Sequence, residues 1–212
     1  MAAYNPEEQE NIDQLKSWWN TYGTMVVVVI AVFVAGIAGA QAWNYYKKQK
    51  TEQALELYDS VLQVQGSGDA KKISDAAGLV IEGFPSSGYA SRAALISAQA
   101  SFNAGDLQNT KNRLQWVLEN SEEEELKDVA RLRLAGVLLD EKKYDEALRL
   151  LEAKHGESFD GLYADRKGDV LAATGKVAEA RTAYQTALAK IGMGGVYHDI
   201  VEMKLDALTS AK

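Results

Sequence analysis

Between Ser17 and Tyr46 no side chain carries a charge, and the middle of that stretch, Met25 to Ala40, reads MVVVVIAVFVAGIAGA. At about 1.5 Å per residue, a helix of about 20 apolar residues spans the ~30 Å hydrocarbon layer of a bilayer. The stretch therefore predicts a transmembrane helix over 17–46. Trp18, Trp19 and Tyr22 on one flank and Trp43, Tyr45 and Tyr46 on the other supply the amphipathic rings that settle at the two headgroup zones. Ala38, Gly39 and Ala40 resemble a signal-peptide cleavage site, but such a peptide needs a short basic leader. Here Glu7, Glu8, Glu10 and Asp13 face a single Lys16, so 1–16 reads as a polar leader to a retained span. Ala31, Ala35 and Gly39 fall four apart on one stripe, and small residues at that spacing predict close approach by another membrane helix.

Beyond Lys50 the pattern changes from continuous to periodic. Leu55, Tyr58, Val61 and Leu62 recur three and four apart, so helix is expected to continue from the span to Gln65, and a turn at Gly66–Asp69 leads to a second helix, Ala70–Phe84, stopped by Pro85. This juxtamembrane helix and hairpin, 47–85, are followed by amphipathic segments only. They are Gly88–Asn103, Leu107–Asn120, Glu123–Asp140, Tyr144–Lys154, Phe159–Thr174, Val177–Ile191 and Gly195–Leu208. Turns of a few residues force antiparallel neighbours, so the expected fold is all-α, a stack of helical hairpins.

The hairpins repeat. Leu132–Glu152 places Leu134, Ala135, Leu138, Tyr144, Ala147 and Leu151 at the packing positions of a tetratricopeptide repeat. A shift of 33 residues reaches Gly168, Leu171, Gly175, Ala180, Tyr184 and Ala187, and a shift back of 37 reaches Ala98, Thr110 and Leu114. That brackets the period of about 34. Small residues at Ala98, Ala135 and Gly168 on the first helix of each pair, and at Ala147 and Ala180 on the second, allow close helix packing. Three repeats are thus expected over 86–191, with the 47–85 hairpin a degenerate first unit. The last segment, 192–212, reads as a solvating cap with Val196, Ile200, Met203 and Leu205 inward and Asp199, Glu202 and Lys204 outward.

Stacked hairpins present the first helices along a concave face. The same offset in each repeat selects Arg92, Leu95, Gln99 and Phe102, then Val129, Leu132 and Leu139, then Leu162, Asp165 and Asp169 as the candidate partner groove. The alternative for the leucines is inter-repeat core. No Lys and Asn pair is placed there to clamp a peptide's terminal carboxylate. Glu122–Glu125, after Ser121, reads as a solvated helix entrance that complements the helix dipole and meets Lys127 and Arg131 a turn later.

Composition narrows the chemistry. The first fifty residues hold four acids and four bases, so the net charge of −7 belongs to the region after Lys50, and nucleic acid is not an expected partner. Without cysteine there is no disulfide framework, zinc ribbon or thiol chemistry. Neither His155 nor His198 reads as a metal ligand, and no phosphate loop or nucleophile elbow appears, so no enzyme, metal or cofactor is expected. Lys47, Lys48 and Lys50 outnumber Lys16 across the span, and the positive-inside bias would keep the C-terminal domain cytoplasmic.

The leader EEQENIDQLKSWWNTYG (Glu7–Gly23), the span, the repeats, ADRKGDV (Ala164–Val170) and MKLDAL (Met203–Leu208), in that order, resemble the YfgM family of Gram-negative bacteria. The resemblance implies an ancillary subunit of the SecYEG translocon in the inner membrane, with a cytoplasmic leader and a periplasmic repeat domain. It also implies association with a membrane-anchored, isomerase-like periplasmic chaperone and with unfolded translocating chains. The chain departs from the family in having fewer basic residues before the span, for instance near Asn20. The lysine flank favours the alternative, a membrane-anchored structural scaffold facing the cytoplasm.

Overall fold

The computed structural model describes residues 6–192 and 194–210; the first five residues of the leader lie outside them. The described residues form nine α-helices and one 3-10 turn, with no strand. The helices are α1 (Pro6–Gln65), α2 (Ala70–Gly83), α3 (Gly88–Asn103), α4 (Leu107–Asn120), α5 (Glu124–Asp140), α6 (Tyr144–Leu151), α7 (Asp160–Ala173), α8 (Val177–Lys190) and α9 (Val196–Ser210). The chain divides into two compact units, Met1–Glu52 and Gln53–Lys212.

In the first unit, the large apolar side chains from Met25 to Ile37 stand open except for half-buried Val26, and both aromatic belts stand open too. A helix apolar all round and exposed all round matches a lipid environment, where burial in protein is not needed to hide it. It is the one helix among the described residues long and apolar enough to cross a membrane. Helix begins already at Pro6, so the described part of the polar leader is helical rather than a separate extended segment.

In the second unit, consecutive helices pack as antiparallel hairpins. Asp69 caps α2 by accepting from the Lys71 and Lys72 amides, both at 3.1 Å, and Asp106 caps α4 by accepting from Asn109 at 2.9 Å. Each satisfies amide hydrogens left unpaired at a helix start. The chain reverses between paired helices at Gly105, Lys142 and Gly175, with φ of 79°, 61° and 75°. These are the same position in successive repeats, and the left-handed backbone there suits glycine and costs Lys142 about 1 kcal/mol.

The small repeat residues Ala98, Ala135, Ala147, Gly168 and Ala180 are all buried. One core cluster runs from Val61 to Val170, and a second joins Leu171, Ala180, Ala183, Tyr184, Ala187 and Val201. Leu148 packs against both. Two expected faces are corrected. In the last turns of α1, Ala54, Leu57, Tyr58 and Val61 turn inward while Leu55 and Leu62 are exposed, because the Tyr58 ring meets Tyr89 at 5.4 Å and fixes the rotation. In α9 the inward stripe is Val201, Leu205 and Leu208; Val196 and Met203, expected inward, are 77% and 71% exposed, and Ile200 is exposed as well.

Candidate functional site: the inner face of the repeats

The first helices of the repeats, α3, α5 and α7, neighbour one another along the inner face. Between them lies a cavity of about 190 Å³, with Ala98, Leu114 and Val137 beneath and Gln99, Phe102, Arg133, Gly136, Asp140 and Arg166 around it. Of the expected groove residues only Gln99 and Phe102 line this cavity. Leu95 is buried, and Val129, Leu132 and Leu139 pack against the main core, so these four serve the inter-repeat contacts. Leu162 is half-buried outside the cavity lining.

Arg92 is taken up by a bidentate pair with Glu123, at 2.6 and 2.7 Å, that ties α3 to the entrance of α5. The pair raises the Arg92 pKa and holds the Glu123 carboxyl below the usual range, mainly through those hydrogen bonds. Glu123 therefore joins two repeats rather than only decorating a helix start. Glu124 meets Lys127 as expected, while the guanidinium of Arg131 goes to Asp128 at 2.6 Å. Asp128 is itself buried, also accepting from the Gly156 amide at 2.9 Å and the Tyr163 hydroxyl, which is pushed up to about 12 chiefly by burial.

Asp165 and Asp169 are engaged by α9, which corrects their assignment to an open groove. Lys204, expected outward, points in and donates to Asp165 Oδ1 and Oδ2 at 2.8 and 3.0 Å, and lies 2.8 Å from Asp169 Oδ1. Tyr197 donates to Asp165 at 2.7 Å and Tyr184 to Asp169 at 3.0 Å. Burial, with the acids beside them, pushes both hydroxyls upward, so they stay neutral donors. The rotation of α9 follows from this network: Asp165, 3% exposed, needs partners, and the Tyr197–Lys204 side of α9 supplies them.

Sequence reasoning missed Arg133, Gly136, Asp140 and Arg166. A signal was present, because Arg133 and Arg166 are 33 residues apart and occupy one repeat position. A second grouping was also missed: His198, Asp199 and Glu202 bring one ligand atom each within 4.8 Å. His198 and Glu202 are one helical turn apart, and Asp199 and Glu202 are exposed, which makes the group a solvated helix face.

Residues 16–210 match the family model of the tetratricopeptide repeat-like domain. The chain is 32% identical over 209 residues to the "Ancillary SecYEG translocon subunit" of Neisseria gonorrhoeae, across 98% of this chain and 100% of that protein. To the protein of the same name in Haemophilus influenzae it is 30% identical over 186 residues, across 87% and 90%. To that of Escherichia coli it is 25% identical over 202 residues, across 95% and 97%. These matches take in the apolar helix as well as the repeats, and the chain belongs to the YfgM family, whose members are named ancillary SecYEG translocon subunits.

Proposed function

We propose that the protein is a non-enzymatic accessory subunit of the SecYEG translocon, held in the inner membrane by the apolar part of α1. Its repeat domain faces the periplasm, binds partner proteins and helps pass newly translocated chains to periplasmic chaperones, a membrane-anchored isomerase-like chaperone among them. The observation that carries this reading is identity to ancillary translocon subunits along nearly the whole chain, anchor and repeats together. A repeat domain of amphipathic hairpins suits the task, because stacked repeats offer an extended surface without catalytic machinery. The lysines at 47, 48 and 50 favour the second reading, a scaffold facing the cytoplasm. The export of long domains largely regardless of flanking charge answers that objection.

Co-purification of the full chain from membranes in mild detergent tests the reading, with SecY recovery as the readout. SecY is expected in the eluate, and its absence contradicts the proposal. Ala31, Ala35 and Gly39 are exposed on one stripe of α1, and nothing stands within 4 Å of a Cβ placed at Gly39. If this stripe is the membrane contact, leucine at all three positions lowers SecY recovery while insertion is kept. Unchanged recovery assigns the contact to the repeat domain instead.

A further inference from the structure

The cavity between α3, α5 and α7 holds a cation that the fold leaves without a counter-charge. Among the described residues no carboxylate lies within ion-pair reach of Arg133, whose one hydrogen bond is a donation to the Leu95 carbonyl at 3.3 Å. The residue as a whole is exposed, but its guanidinium lies against the cavity wall, where desolvation lowers its pKa. Arg92, Lys111, Arg131, Arg166, Lys190 and Lys204 each meet an acid, and Arg133 does not. A guanidinium has five donors, so most of those on Arg133 have no partner among the described residues.

Arg166 lines the same cavity. Its guanidinium lies against α5 at Gly136, where even a Cβ would stand at an ordinary contact distance of 3.6 Å, one turn from Arg133. Arg166 keeps one bond, to Asp169 at 3.2 Å, and is more than one-third exposed. Around the two cations the lining is apolar at Phe102, Leu114 and Val137 and neutral at Gln99. Asp140 is the acid in the lining; it sits seven residues along α5 from Arg133, a backbone rise of about 10 Å, and no ion pair joins the two.

We infer that this cavity binds the side-chain carboxylate of an acidic residue in an extended partner segment, held by Arg133 and Arg166, with a neighbouring apolar side chain seated on Phe102 and Val137. Paired guanidiniums match a carboxylate in shape as well as charge. The net charge of −7 in the domain sets the rest of the surface against polyanions, which makes a single acid beside an apolar residue the better fit than a nucleic acid or an anionic lipid sheet. The inference rests on the reading that the repeat domain binds partner proteins.

The test uses the full chain in detergent micelles and three labelled peptides of one Ser/Gly background. One carries Leu-Glu at its centre with both ends blocked, one carries Leu-Gln with both ends blocked, and one carries Leu-Gln with a free C-terminus. Fluorescence anisotropy is expected to show the Leu-Glu peptide bound about tenfold or more tightly than its Gln partner, the effect of a charged hydrogen-bonded pair. Arg133→Gln, checked for unchanged helicity, is expected to bring the two peptides within about threefold, while Arg113→Gln, outside the cavity, keeps the preference. Equal affinities, no binding of either, preference surviving in Arg133→Gln, or tighter binding of the free C-terminus each overturns the inference. SecY recovery with the wild-type chain separates the two levels: if it persists while the peptides are not distinguished, only the cavity assignment falls, and if it fails, the wider reading falls.

Discussion

Gly168→Leu is expected to disrupt the packing of α7 on α8 and to lower the thermal midpoint of the full chain in micelles by about 5 °C or more. A Cβ at Gly168 would come within 2.5 and 2.6 Å of two ring carbons of Tyr184. That ring is 3% exposed, and its hydroxyl is fixed to Asp169 at 3.0 Å, so it has no open direction in which to retreat. Overpacking of this kind costs about 1–3 kcal/mol or more, and about 2–4 °C accompanies each kcal/mol in a chain of this size. Gly168→Ala should fall between wild type and Gly168→Leu, since part of the overlap is offset by about 1 kcal/mol of better helix propensity. Gly78 in α2 is the control: nothing stands within 4 Å of a Cβ there, so Gly78→Ala should leave the midpoint unchanged or raise it. Circular dichroism melts that place Gly168→Leu with wild type would show the repeat register to be wrong.

The second large effect is expected at Asp165. Removing a carboxylate that holds two partners leaves buried donors without acceptors, which costs about 3–5 kcal/mol when both partners are enclosed. Lys204 keeps Asp169 and is about one-third exposed, so Asp165→Ala is expected nearer 2 kcal/mol, concentrated at the attachment of α9. Hydrogen exchange should therefore quicken across Val196–Leu208 while α3 to α6 keep wild-type protection. Asp165→Asn with Lys204→Met replaces the charged pair by a neutral contact that still accepts from Tyr197, and should restore much of the protection. Wild-type exchange in α9 of Asp165→Ala would show that apolar contacts at Val201, Leu205 and Leu208 alone secure that helix.

These two sites also show what the order of residues discloses and what it does not. Gly168 is legible because a period of 33 residues aligns it with Ala135, and a small side chain at that repeat position has one packing meaning. The limits of α3 and α4 are legible for a similar reason, each opening on a capping side chain, Ser87 and Asp106. In α9 the apolar periodicity supports two stripes, Val196–Ile200–Met203 and Val201–Leu205–Leu208, and hydrophobicity alone does not rank them. The choice is made by Asp165, thirty-nine residues before Lys204, whose burial depends on tertiary packing. The Arg92–Glu123 pair is hidden in the same way, since 31 residues separate its members and each looks like an ordinary surface charge. The inner cavity is half legible: the repeat offset finds Gln99 and Phe102, but in the next repeat it runs through leucines that turn into the core, one position away from Arg133.

The central claim is that the repeat domain works on the periplasmic side of the membrane beside the translocon. Adding protease to spheroplasts tests it directly, because the repeats from Gln53 onward are then either reachable or sealed inside. The account predicts digestion of the repeat domain in intact spheroplasts, leaving a protected fragment with the apolar helix and the leader. A domain that survives until the inner membrane is opened would contradict it and would leave the cytoplasm-facing scaffold as the reading of this chain.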